Sequence, residues 1–211
     1  MVKVCAITVD IKGSRKLPDI QREKLHFAIL KVIEKIKQAF PNDVQAAGMT
    51  TGDEFQIVIK NPPTAIDIYN LIKTQLPAKC YFGVGYGDIT SFKTKNPSEM
   101  YGQAFYLSRE AIETAKKKKQ NEIIFKLGNE TLDRELNILF ELTAFIERKQ
   151  TPRQKQLITK IGPEKMTLQK DLAANLGVTG QAISKSLKNS GFATILEANQ
   201  FAQFLLKAKL E

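Results

Sequence analysis

The amino-acid sequence predicts an α+β protein in which a sheet-and-helix domain is followed by a small all-α domain. Three observations carry that expectation. Runs with strand periodicity alternate with runs of helical periodicity through the first two thirds of the chain, after which only helical patterns remain. Turn residues separate these runs: Pro41, Thr51-Gly52-Asp53, Pro62-Pro63 and Pro77. The composition, 43% hydrophobic and 26% charged over 211 residues, suits a globular chain with a core that needs neither disulfides nor metals.

Val2–Val9 is apolar and rich in β-branched residues, which predicts a buried strand ending at Asp10. After Pro18, residues Leu25, Ile29, Val32, Ile33, Ile36 and Phe40 recur at helical spacing and predict a long amphipathic helix. Val44–Thr50 and Glu54–Lys60 flank Thr51-Gly52-Asp53. Glycine at the first central position suits a type II′ turn, so this is a predicted hairpin. Ala65, Ile66, Ile68, Tyr69 and Ile72 form a second helix ahead of Pro77. Lys79–Ile89 is a fourth strand carrying Gly83, Gly85 and Gly87. Those glycines suit the close approach of a neighbour better than a dinucleotide loop, because no helix opens directly after them. A third helix over 98–119, a fifth strand over 121–126 and a helix over 130–148 follow. The order β-α-β-β-α-β-α-β predicts a ferredoxin-like, split βαβ domain with an added strand. The expected domains are residues 1–128, a connecting helix over 129–150, and residues 151–211.

The last segment has the layout of a helix-turn-helix, within a trihelical or winged-helix-like domain. Leu168, Leu172 and Leu176 share a helix face on which Ala173 permits a close crossing, and Gly177 supplies the left-handed turn residue. Thr179 is a natural N-cap for a second helix with Ile183 and Leu187 inward. Gln181, Ser184, Lys185 and Lys188 then point outward. Gln181 suits adenine edges or phosphate, and the other three suit the DNA backbone. An αα-hairpin that binds protein or nothing shares most of this pattern. Phe192–Leu206 is too apolar for solvent and is expected to pack on the trihelical core or on a second chain.

Charge agrees with a polyanionic partner. Lysine and arginine total 32 against 22 acidic residues, a net +10. Residues 151–211 hold nine basic and four acidic residues, a net +5 in the shorter segment. No segment approaches the roughly 20 apolar residues of a membrane span, and Met1 runs straight into a strand pattern, so a cytoplasmic protein without membrane contact is expected. Cys5 and Cys80 sit in apolar strands and are expected to be core residues. With His26 the single histidine, a structural zinc site is excluded. The run Lys116–Lys119 is expected to be a solvated helix end, where cations meet the negative end of the dipole.

Asp10 ends the first strand, and Asp53 and Glu54 lie at the hairpin turn. In a β-α-β-β sheet those positions meet at one edge. Converging carboxylates repel unless a cation sits between them, and oxygen-only ligands suit Mg2+ or Mn2+, commonly accompanied by nucleotide phosphates. The segments VDIKGS and TGDEF resemble the two metal-binding signatures of class III nucleotidyl cyclases, and TGDEF also resembles the GGDEF signature of diguanylate cyclases. The series VDIKGSRK (9–16), TTGDEFQIV (50–58), GVGYGDIT (83–90) and YGQAFYLSREAIETAK (101–116) resembles the SatD family over nearly the whole chain. The resemblance implies a nucleotidyl cyclase-like palm with a DNA-binding tail. It implies that Asp10 and Asp53 bind metal with the backbone carbonyl of Ile11, and that Arg109 steadies transition-state charge. Two positions depart from the cyclase pattern: Met49 stands where a base-selecting lysine is expected, and Phe105 where an asparagine is. The expectation is a DNA-binding regulator of transcription, a homodimer whose palm binds a nucleoside triphosphate or related nucleotide with a divalent metal. The alternative is an active nucleotidyl cyclase or nucleotidyltransferase with a DNA-binding tail.

Overall fold

A computed structural model describes residues 2–90, 94–118, 122–161 and 178–210. Its strands are β1 (Val2–Ile11), β2 (Val44–Met49), β3 (Phe55–Ile59), β4 (Cys80–Ile89) and β5 (Ile123–Lys126). Its helices are α1 (Asp19–Ala39), α2 (Thr64–Gln75), α3 (Gln103–Lys118), α4 (Glu130–Lys149), α5 (Pro152–Ile161), α6 (Gly180–Asn189) and α7 (Phe192–Leu210). Up to α4 the order is the one the sequence predicts. The third helix opens later than its pattern suggests, because Pro97–Glu99 forms a separate 3-10 turn and Gly102, at φ 145°, bridges back to Ile89. Among the described residues no helix is long and apolar enough to cross a membrane.

The strands form one mixed sheet in the order β2-β3-β1-β4-β5, antiparallel except for the β4–β5 pair. Strand alternation gives the sheet two faces. Cys5, Ile7, Val9 and Ile11 of β1 join Phe55, Ile57 and Ile59 of β3 in the larger core. That core is covered by Ile29, Ile33 and Ile36 of α1, Ile66 and Ile72 of α2, and Leu132, Leu136 and Phe140 of α4. Ala202, Leu205 and Leu206 of α7 complete it. On the opposite face Val4 and Ala6 meet Ala104 and Phe105 of α3. Cys5 and Cys80 are free, buried thiols. Burial, with the charges of Glu122 and Asp10 adding, pushes Cys80 up to about 12.

The glycines of β4 explain how α3 reaches the sheet. A Cβ on Gly83 would lie 2.1 Å from the Ser108 carbonyl oxygen, and one on Gly85 would lie 2.3 Å from both the Ala104 oxygen and the Ser108 nitrogen. The helix backbone therefore rests on bare strand backbone.

The chain divides into two compact units, residues 1–140 with 202–211, and residues 141–201. In the second, Leu157, Ile161, Ile183, Leu187 and Phe192 form a small buried cluster. Thr151 and Gln154 cap α5 reciprocally, each side chain accepting from the other's backbone N–H at 3.2 and 2.8 Å. Thr179 caps α6, its hydroxyl accepting from the Ala182 N–H at 3.2 Å. The expected first helix of the helix-turn-helix, with Leu168, Leu172, Ala173, Leu176 and Gly177, lies outside the described residues. The apolar run after Phe192 differs from expectation. Its first turns join the small cluster through Phe192 and Leu196, whereas Ala202, Leu205 and Leu206 enter the sheet core. There the Gln203 amide donates to Asp67 at 2.9 Å and the Tyr86 hydroxyl donates to the Leu210 carbonyl at 3.1 Å.

Candidate functional site

Antiparallel pairing fixes which chain ends meet. Thr8 faces Gln56 and Val9 faces Phe55, so the C-terminal end of β1 lies beside the turn that opens β3. That turn is closed by the Glu54 N–H donating to the Thr51 carbonyl at 3.0 Å, and Gly52 takes φ 63°, the left-handed value the predicted hairpin requires. Asp10, Asp53 and Glu54 consequently line a single cleft of about 1020 Å3. Arg109 and Lys116 of α3 line it too, as do Leu25, Phe27 and Ile29 of α1.

Each acid has a partner from the chain itself. Glu54, 5% exposed, receives two hydrogen bonds from the Arg109 guanidinium, one of them at 2.8 Å, and a third from the Thr50 hydroxyl at 2.8 Å. Asp53 accepts from the buried Ser14 hydroxyl. Asp10 lies 3.4 Å from the Lys116 ammonium. Burial raises the Asp10 pKa above the ordinary aspartate value; Lys116 opposes that shift, and the negative charges of Asp53 and Glu54 reinforce it. Burial works against the charge on Lys116, but Asp10 and Glu113 outweigh it and hold the ammonium above the usual lysine value.

Lys116 is the residue that sequence reasoning missed. It is not a solvated end of the lysine run: its side chain is only 31% exposed and faces the cleft, while Lys117 and Lys118 are exposed and Lys119 lies outside the described residues. A signal was available, since Lys116 falls two helical turns after Arg109 and so shares its face. Ile11 directs its side chain into the main core, leaving only its backbone for a ligand. Phe105 is buried between α3 and the sheet. His26 is exposed at the mouth of the cleft.

A polar chain holds α3 in register above the site. The Gln56 amide donates to the Thr8 hydroxyl at 3.1 Å, Thr8 and Ser108 hydroxyls lie 3.0 Å apart, and Ser108 donates to the Phe105 carbonyl at 3.0 Å. All three side chains are buried.

Among the described residues no group of three or more histidine, cysteine, aspartate or glutamate side chains is arranged to hold a metal ion. Of the acids Asp10, Asp53 and Glu54, the last is engaged by Arg109, which leaves Asp10 and Asp53 as the candidate pair. That set suits Mg2+, which retains water and takes one or two carboxylates together with phosphate oxygens, better than it suits an ion needing a full protein cage.

In the second unit, Gln181, Ser184, Lys185 and Lys188 are all exposed on α6, with Ile183 and Leu187 buried on its other side.

The sheet domain is thus a mixed α+β fold in which acids from two strand ends meet cations from one helix. Several solved structures are similar to this chain. A bacterial light-regulated adenylyl cyclase is 17% identical, with 59% of this chain and 75% of that one covered and a TM-score of 0.44. The adenylyl cyclase CyaB from P. aeruginosa is 15% identical, covering 54% and 71% at a TM-score of 0.38. The GGDEF domain of PA1120 from Pseudomonas aeruginosa is 13% identical, covering 60% and 82% at a TM-score of 0.39. No curated protein matches. The chain belongs to the SatD family, whose model matches residues 4–206.

Proposed function

We propose that the cleft binds a nucleotide together with Mg2+ or Mn2+, and that the protein is a DNA-binding regulator of transcription responding to that ligand. The observation that carries the ligand reading is the meeting of Asp10 and Asp53 in one cleft, beside two cations of α3. Asp10 and Asp53 would supply carboxylates to the ion, the Ile11 backbone a carbonyl, and the nucleotide its phosphate oxygens. When bound, the cation neutralises phosphate charge. Binding is favoured over turnover, because Glu54 already engages Arg109 with both oxygens and because Met49 and Phe105 replace the lysine and asparagine of the cyclase pattern. The alternative, an active cyclase or nucleotidyltransferase, requires Arg109 to leave Glu54.

Calorimetric titration with Mn2+ plus ATP or GTP tests this. Heat is expected from the wild type and not from Asp53→Asn. A silent wild type, or undiminished heat from the variant, refutes the site; cyclic or polymeric product would establish the alternative.

The exposed row Gln181, Ser184, Lys185 and Lys188 supports DNA binding by the second unit, with two chains on a two-fold site as the expected form. With about six phosphate contacts, affinity should fall on the order of a thousandfold between low and moderate salt. Replacing Lys185 and Lys188 with alanine should weaken binding on every duplex in a gel shift. Unchanged affinity would remove this face from the interface.

A further inference from the structure

We propose that Lys116 is a tethered counterion for the cleft: in the cation-free protein its ammonium occupies Asp10, and a divalent ion binds only by displacing it. The inference rests on Asp10 and Asp53 being the carboxylates that hold the ion.

The three acids of the cleft are not equally held. Glu54 is buried and bonded through both oxygens to a guanidinium, the strongest ion-pair geometry available to a carboxylate. Asp53 is held by a neutral hydroxyl. Asp10 has a single ammonium at 3.4 Å, with the two side chains 31% and 22% exposed. This is the ionic tie that can open. It is sheltered enough to matter and lacks the paired bonds that lock Glu54.

The displaced ammonium also has a place to go. Glu113, one turn back on α3, lies 3.2 Å from the same nitrogen and is half exposed. A lysine on its flexible stem can leave Asp10 and keep Glu113 without any movement of the helix. An ammonium and a divalent ion cannot share the Asp10 carboxylate without strong repulsion, so occupancy by one excludes the other. Cation affinity is therefore set by competition with a group built into the chain.

Mn2+ alone is the probe, followed by electron paramagnetic resonance of the free ion with the full chain. Lys116→Met should bind Mn2+ about tenfold more tightly than the wild type, the effect of removing one neighbouring like charge. Lys116→Arg should bind no more tightly than the wild type. Lys117→Met, which removes an exposed charge from the adjacent position, should match the wild type. Unaltered or weaker binding by Lys116→Met overturns the inference, as does an equal gain in Lys117→Met, which would mean general electrostatics. Should Lys116→Met fail to fold, Lys116→Gln carries the same expectation. A parallel titration of the wild type with Mn2+ and ATP separates two failures. If that complex forms and Lys116→Met shows no gain, only the counterion role is lost; if neither variant nor wild type takes the ion in any form, the cation site itself is lost.

Discussion

The two units solve the problem of presenting charge in opposite ways. In the sheet unit, the charged groups come from β1, the β2–β3 turn and α3, and two acids are ion-paired across the fold, Asp10 with Lys116 and Glu54 with Arg109. In the unit spanning 141–201, the polar row of α6 lies on one short helix with its side chains in solvent. The first arrangement depends on tertiary structure for its existence. The second needs little more than a helix held by a small cluster at Leu157, Ile161, Ile183, Leu187 and Phe192. A long-range site can be destroyed from a distance, whereas a local one is altered mainly by its own residues.

The largest expected effect breaks the sheet unit from β4, a strand that carries no site residue. Gly85→Ala inserts a Cβ 2.3 Å from α3 backbone atoms, and neither strand nor helix backbone can yield cheaply. It should cost about 3 kcal/mol or more in urea unfolding and abolish the nucleotide heat, because α3 carries Arg109 and Lys116. Unaltered stability would mean that α3 does not rest on β4. Next is Leu187→Ala, which empties part of the small cluster and should cost about 2 kcal/mol. It should weaken DNA binding while leaving the nucleotide heat intact, and loss of that heat would dissolve the contrast between the units. Arg109→Met leaves buried Glu54 without its cation; half-exposure of the arginine reduces the penalty to about 1–2 kcal/mol. Adding Glu54→Gln to Arg109→Met should recover part of the melting temperature, and failure to recover would show that the pair is not the source of the loss.

The smallest effect concerns Asp67. Burial beside α7 raises its pKa, against the hydrogen bond from Gln203. A folded value above the unfolded one means that the folded state holds the proton more tightly, so stability is lost as pH rises from the unfolded value through the folded one. Asp67→Asn should therefore raise the melting temperature slightly at pH 7 and leave it unchanged at pH 3. A loss at pH 7 would mean that the charged form helps to hold α7.

The same contrast separates what was legible in the sequence from what was not. The order of elements along the chain, the hairpin at Gly52 and the approach of Asp10 to Asp53 followed from alternation, turn chemistry and antiparallel pairing, which are local rules applied in succession. The inward and outward residues of α6 followed from helical period alone. The partner of Glu54 and the duty of Lys116 did not follow. Both depend on how far α3 lies above the sheet, and that distance is set by missing side chains on β4. The course of α7 was hidden for a related reason: its apolar residues cover most of its circumference, so periodicity could not tell which core each half would enter.

The hydrogen-bonded trio of Thr8, Gln56 and Ser108 has one more implication. Arg109 and Lys116 are seven residues apart on α3, two turns of rise or about 10 Å, and the trio forbids the helix to slide or roll without stranding buried polar groups. The helix is in effect a ruler laid across the strand ends, with its two cations as graduation marks. Side-chain swing at the cleft leaves these bonds intact, whereas a sliding helix would break them.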